Sequence, residues 1–100
     1  MEIKKDLEGS KLTIHLTGRL DTTSSPQLDD ELGKCLDGIS LLTIDCSHLD
    51  YISSAGLRVL LSTHKKMLTQ GKMVVAGARD NEAIMEVFEI TGFSDILDIE

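Results

Sequence analysis

Hydrophobic and polar positions change period several times along this chain, and each change marks an element. Ile3 and Leu7 flank Lys5 in an alternating run, and Glu8-Gly9-Ser10-Lys11 has the composition of a turn. Leu12, Ile14 and Leu16 then alternate with Thr13, His15 and Thr17, the period-two pattern of a strand with one buried and one wet face. The two runs read as a hairpin, with Gly18 closing the second strand. Ser24-Ser25-Pro26-Gln27 reads as a helix start: a serine caps the free amides, Pro26 fits the first turn, and Gln27 completes a capping box if Ser24 is the cap. Leu28, Leu32, Cys35, Leu36 and Ile39 recur at helical spacing, with Gly38 at the exit.

Leu41–Cys46 is a short, mostly apolar run that reads as a strand buried on both faces. After a short connection, Ser54-Ala55-Gly56 opens a second helix. Leu57, Leu60, Leu61, His64 and Leu68 form its inward stripe, Arg58, Lys65 and Lys66 lie outside, and Gly71 ends it. Met73–Ala76 reads as another buried strand. Asp80 or Asn81 caps a third helix carrying Ile84, Val87 and Phe88, which breaks at Thr91-Gly92-Phe93 before a last segment, Ile96–Ile99. Buried strands alternating with amphipathic helices predict right-handed crossovers and a mixed, mostly parallel α/β sheet. The wet face of the second strand puts the helices mainly on one side. At 100 residues the chain has apolar material for one core, so residues 1–100 form one domain.

Composition narrows the function classes. Seventeen acidic against ten basic residues give a net charge of −7, which repels phosphate backbones and argues against direct nucleic-acid binding. Three aromatic residues, Tyr51, Phe88 and Phe93, make no base-stacking platform. Cys35 and Cys46 fit no metal spacing and read as buried, reduced thiols, which suits a cytoplasmic location. The charged amino terminus reads as no signal peptide, and no apolar run reaches membrane-spanning length, so membrane insertion is not expected. No cofactor is implied. Ser54 sits in no Gly-x-Ser-x-Gly elbow, His15, His48 and His64 form no evident relay, and no Walker loop is present. The chain therefore reads as a binding module and not as an enzyme.

Ser54 carries the most informative candidate chemistry. It lies at the mouth of a helix that follows a buried strand, where unpaired amides and the positive end of the macrodipole accommodate an anion. The same placement is equally that of an ordinary serine cap. Ser53, Ser54, Ala55 and Gly56 form a patch of small residues that a partner protein can approach closely.

The segment Tyr51-Ile52-Ser53-Ser54-Ala55-Gly56-Leu57-Arg58-Val59-Leu60-Leu61 closely resembles the signature of STAS domains, the family of bacterial anti-sigma factor antagonists. Leu16-Thr17-Gly18-Arg19-Leu20-Asp21 resembles that family's strand ending in Gly-x-Leu-Asp, and Gly71-x-Met73-Val74-Val75 fits its next strand. The resemblance implies that Ser54 is the phosphorylatable serine and that Asp21 lies in a loop beside it. It implies a partner that is both an anti-sigma factor and a serine kinase of the histidine-kinase-like ATPase type. The dephosphorylated protein would bind that kinase and free the sigma factor, ATP-dependent phosphorylation would break the complex, and a PPM-type phosphatase would reverse it. Switched members often carry Asp directly before the phosphorylated serine. Here that position is Ser53, an alternative acceptor. The contact surface implied comprises Asp21, Thr22, Thr23, Ser53, Ser54, Ala55, Gly56, Leu57, Arg58 and Leu61. From spacing alone, the two leucines are as readily core residues. An accessory subunit of a lipid-transport ATPase or a stressosome-type scaffold module is the alternative reading within the same fold.

Overall fold

In the computed structural model, which describes residues 1–100, β1 (Glu2–Glu8) and β2 (Lys11–Leu20) form the expected antiparallel hairpin around Gly9. Then follow α1 (Ser25–Cys35), β3 (Leu41–Ile52), α2 (Ser54–Met67), β4 (Lys72–Ala76), α3 (Glu82–Thr91), a 3₁₀ turn (Phe93–Asp95) and β5 (Asp98–Ile99). The five strands lie in sequence order, with β2 to β5 parallel. Three right-handed crossovers that advance in one direction across a sheet must all pass over the same face. The burial pattern agrees. Leu12, Ile14 and Leu16 of β2 and Leu42, Ile44 and Cys46 of β3 are buried under the helices, while Thr13, His15, Thr43 and Asp45 on the opposite face remain partly exposed. Leu41–Cys46 is therefore buried on one face and not on both as expected, because no helix covers the other. Phe88 and Ile84 of α3, Leu28 and Leu32 of α1, and Leu60 and Met67 of α2 complete one core.

Several boundaries differ from those expected. β2 does not close at Gly18 but runs to Leu20, and β3 continues past Cys46 to Ile52. The pairing of β2 with β3 shifts register twice, between His15 and Thr17 and between Gly18 and Arg19. Gly18 has φ +101° there, a conformation that glycine adopts at little cost. Each irregularity breaks the period-two alternation, so Ser47 and His48 are both exposed and the strand is disguised as a loop. The Asn81 side-chain amide donates to Cys46 O at 2.9 Å and Leu49 O at 2.8 Å, satisfying carbonyls of this irregular stretch. Asn81 thus precedes α3 without capping it through its side chain.

Ser24 likewise does not build the expected capping box. Its backbone is already helical, and its hydroxyl points back into the preceding loop, donating to Arg19 O at 2.7 Å and accepting from Asp21 N at 2.9 Å. Gln27 is exposed. α1 ends at Cys35, leaving Leu36 and Ile39 buried in the connection beyond it. In α2 the inward stripe is Leu57, Leu60, Thr63 and Met67, while Leu61 and His64 are half-buried. Leu68 is 64% exposed, which corrects its assignment to the stripe. It lies seven residues after Leu61, on the flank of the stripe that Met67 completes. Cys46 is fully buried and Cys35 partly so.

Candidate functional site

The parallel pairing of β2 with β3 brings the ends of the two strands together, Leu20 opposite Ile52. The chain then diverges into two adjoining turns. Ser53 N–H donates to Leu20 O at 2.9 Å, tying the start of α2 to the end of β2. Asp21, the next residue of that first turn, organises it through its carboxylate: Oδ1 accepts from the amides of Thr23 and Ser24, each at 3.0 Å. These hydrogen bonds, the Ser24 hydroxyl and the nearby Arg19 guanidinium hold the Asp21 carboxyl below its usual range, outweighing the upward push of desolvation.

The two serines at the start of α2 have different tasks. Ser53 has an extended backbone, is half-buried, and its Oγ accepts from Gly56 N at 3.3 Å, so Ser53 is the cap. Ser54 is the first helical residue and is exposed. Gly56 is buried, and a Cβ there would lie 2.7 Å from Leu20 Cγ, so the missing side chain lets α2 close onto the strand ends. Gly56 belongs to the floor of the site, and the view of it as open patch is corrected. Leu57 is also corrected: at 6% exposure it packs in the core, with Leu60 and Met67 continuing its stripe.

A groove of about 380 Å³ runs between the first turns of α1 and α2. Thr22 and Pro26 line one side and Ala55, Arg58 and Ser62 the other, with Asp29 opposite the arginine's helix. The structure therefore gathers Asp21, Thr22, Ser53, Ser54, Ala55 and Arg58 at one end of the sheet. Thr23 is exposed in the same turn, and half-buried Leu61 lies outside the groove lining. Two residues escaped the sequence reading. The Arg19 guanidinium stacks 4.2 Å from the Tyr51 ring centroid, and its Nε lies 3.8 Å from Asp21 Oδ2. Their pairing across β2 and β3 depends on the register shifts, which no local pattern announces.

No histidine is joined to Ser54. His15 Nδ1 pairs with Asp45 Oδ2 at 2.7 Å on the helix-free face, and His48 Nδ1 meets Ser47 Oγ at 3.1 Å. What the site offers is an exposed hydroxyl, backbone donors, an ionised carboxylate and a shallow groove, the equipment of a recognition surface.

Comparison with known proteins points the same way. The chain is 36% identical over 101 residues to the anti-sigma factor antagonist BtrV of Bordetella bronchiseptica, covering 99% of this chain and 85% of the relative. The anti-sigma-B factor antagonist of Listeria monocytogenes is 30% identical over 99 residues, covering 96% and 84%, and that of Bacillus subtilis 29% over 101 residues, covering 99% and 92%. Among solved structures, an anti-sigma factor antagonist from Mycobacterium paratuberculosis superposes with a TM-score of 0.85 at 21% identity, over 98% of this chain and 83% of that one. The Bacillus cell fate determinant SpoIIAA in its phosphorylated form gives 0.74 at 14% identity, over 99% and 91%. These two likenesses are of fold. STAS domains of the anti-sigma factor antagonist kind are regulatory and non-enzymatic. The family model described as STAS domain matches residues 2–100, and with relatives this similar over nearly its whole length, the chain belongs to the STAS domain family.

Proposed function

We propose that this chain is an anti-sigma factor antagonist switched by phosphorylation of Ser54. In the dephosphorylated state it binds an anti-sigma factor that is a serine kinase of the histidine-kinase-like ATPase fold, and so frees a sigma factor. Phosphorylation by that kinase breaks the complex, and a PPM-type phosphatase restores the binding form in the cytoplasm. The relatives named above support the regulatory class. The observation that carries the choice of residue is the division of labour between neighbours: Ser53 Oγ is engaged with Gly56 N in a half-buried cap, whereas Ser54 is exposed. A kinase reaches the second hydroxyl without disrupting the helix end.

The contact surface is Asp21, Thr22, Thr23, Ser53, Ser54, Ala55 and Arg58, with Leu61 one turn further along α2. Gly56 and Leu57 act beneath it by setting how closely α2 approaches the strand ends. A phosphoryl group carries about −1.5 to −2 charges. At Ser54 it is partly compensated by the first-turn amides, so the free protein tolerates it. In a close interface the same charge must be desolvated beside the ionised Asp21. Since each ~1.4 kcal/mol is tenfold in affinity, a loss of a few kcal/mol releases the partner without refolding.

The test is site-resolved mass spectrometry after incubation with ATP and the histidine-kinase-like anti-sigma factors of the source organism, with Ser54→Ala as control. One phosphate on Ser54, absent from the variant and accompanied by loss of kinase binding, is the expected result. A phosphate on Ser53 alone, or none with any candidate kinase, overturns Ser54 as the switch.

A further inference from the structure

The outer edge of β1 carries a pattern that neither the fold nor the Ser54 site uses. β1 is the first strand of the sheet order, and all seven of its residues pair with β2 in unbroken register, leaving the other edge without a neighbouring strand. Edge strands in natural proteins are commonly blunted by proline, by a bulge or by being very short. β5, at the far side, is only two residues long. β1 has no proline and no bulge. Five of its seven residues are charged, Glu2, Lys4, Lys5, Asp6 and Glu8, which blunts the edge against an arbitrary strand. The charges are of both signs and so admit a partner of complementary order, and Lys5 is already ion-paired with Glu31 of α1. Leu7 is left 63% exposed.

We propose that two copies of this chain associate edge to edge through β1, antiparallel about a two-fold axis at Lys5, joining their sheets into one. A two-fold axis perpendicular to the sheet keeps like faces together, so only registers that place Glu2, Lys4 and Asp6 on one face and Ile3, Lys5 and Leu7 on the other are allowed. Centred on Lys5, that pairing sets Lys4 opposite the partner's Asp6 twice and Ile3 opposite the partner's Leu7 twice. Two opposite-charge pairs form on the helix-free face and two apolar pairs on the helix-bearing face. The Lys5 residues face each other, and each keeps its own Glu31. Glu2 meets the partner's Glu8 at the two ends of the pairing, where both are exposed and salt screens the like charges. Moving the centre to Lys4 sets Glu2 opposite Asp6, and moving it to Asp6 pairs Lys4 with Glu8 but sets Lys5 opposite Leu7. Moving it to Ile3 pairs Glu2 with Lys4 but sets Met1 opposite Lys5, so only the Lys5 register combines two opposite-charge pairs with two apolar pairs. A contact of one short strand per copy is at the small end of protein interfaces, and the association is weak and concentration-dependent.

This inference is independent of the Ser54 reading. It is tested by sedimentation equilibrium of the full chain over a wide concentration range up to about 1 mM. The wild type is expected to move from the 11.0 kDa mass of one chain toward twice that value. Lys4→Glu and Asp6→Lys, both at exposed positions, each place two like charges opposite one another and should remain monomeric. An equimolar mixture of the two variants recreates both opposite-charge contacts and should dimerise, as should the double variant Lys4→Glu/Asp6→Lys. A wild type that stays monomeric throughout overturns the proposal, as does a dimer that survives either single substitution, or a mixture and a double variant that both stay monomeric. Circular dichroism of each variant confirms that the comparison is between folded chains.

Discussion

A Cβ on Gly56 would lie 2.7 Å from Leu20 Cγ and 3.0 Å from Ile52 Cγ1, and one on Gly71 would lie 2.0 Å from the carbonyl oxygen of Ser40. The first obstacle is a pair of buried side chains, the second is backbone. Gly56→Ala is expected to destabilise by about 1–3 kcal/mol from overpacking, offset in part by roughly 1 kcal/mol of helix propensity. Gly71→Ala forces two backbone segments apart and should cost more. Urea unfolding of both variants checks the ranking, and equal stabilities would contradict it. Asp45 supplies the residue-level pH dependence. Partial burial pushes its carboxyl up, but hydrogen bonds from Ser47 and the His15 ring outweigh that and hold it below the ordinary value of 3.8. In that acid range the unfolded chain binds more protons than the folded one. The contribution is therefore present above the ordinary aspartate value and lost as pH falls through the depressed one. Asp45→Asn should be less stable than wild type near neutral pH, with the gap narrowing on acidification. Asp21 and Glu31 shift in the same direction, so some acid loss persists in the variant.

At the scale of elements, the start of α2 separates structure from chemistry within two residues. Ser53→Ala removes the Gly56 hydrogen bond and should cost about 1 kcal/mol, the usual worth of a serine cap. Ser54→Ala, at an exposed position with no cap to lose, should stay within roughly 0.5 kcal/mol. Thermal unfolding distinguishes them, and the reverse order would move the cap to Ser54. The helix positions, the hairpin and the buried cores of β2, β3 and β4 were legible because one period persists long enough to be read. The later half of β3 was not, because register shifts destroy its alternation, and what steadies it is Asn81, more than thirty residues away. The caps misled for a related reason. Ser24 and Asn81 have side chains suited to capping, yet each finds better partners in the tertiary structure, Ser24 in the Asp21 turn and Asn81 in the β3 carbonyls.

Over the whole molecule the sheet order follows the chain order, so every crossover lands on one face and a single core forms beneath it. Cys46 reports on that core. It is fully buried, and desolvation pushes its thiol up to about 12, so it is unreactive while the fold is intact. Alkylation of Cys46 should follow global unfolding and accelerate with denaturant in step with it, whereas half-buried Cys35 should react first through local opening. Fast labelling of Cys46 in the native state would mean that the sheet opens without unfolding globally.

By itself the sequence determined the class of fold, the hairpin, the face of the sheet that stays wet and the segment around Ser54 as the place to look. All of these follow from side-chain periodicity and from motifs confined to short stretches. Tertiary structure alone decided which serine is the cap, that Gly56 and Leu57 lie under the surface, and that Tyr51 stacks on the Arg19 guanidinium near Asp21. Each depends on how the ends of β2 and β3 meet, and that meeting is set by a register whose shifts involve residues thirty positions apart. Local pattern records the period of a strand, but not which residue of the neighbouring strand it will face.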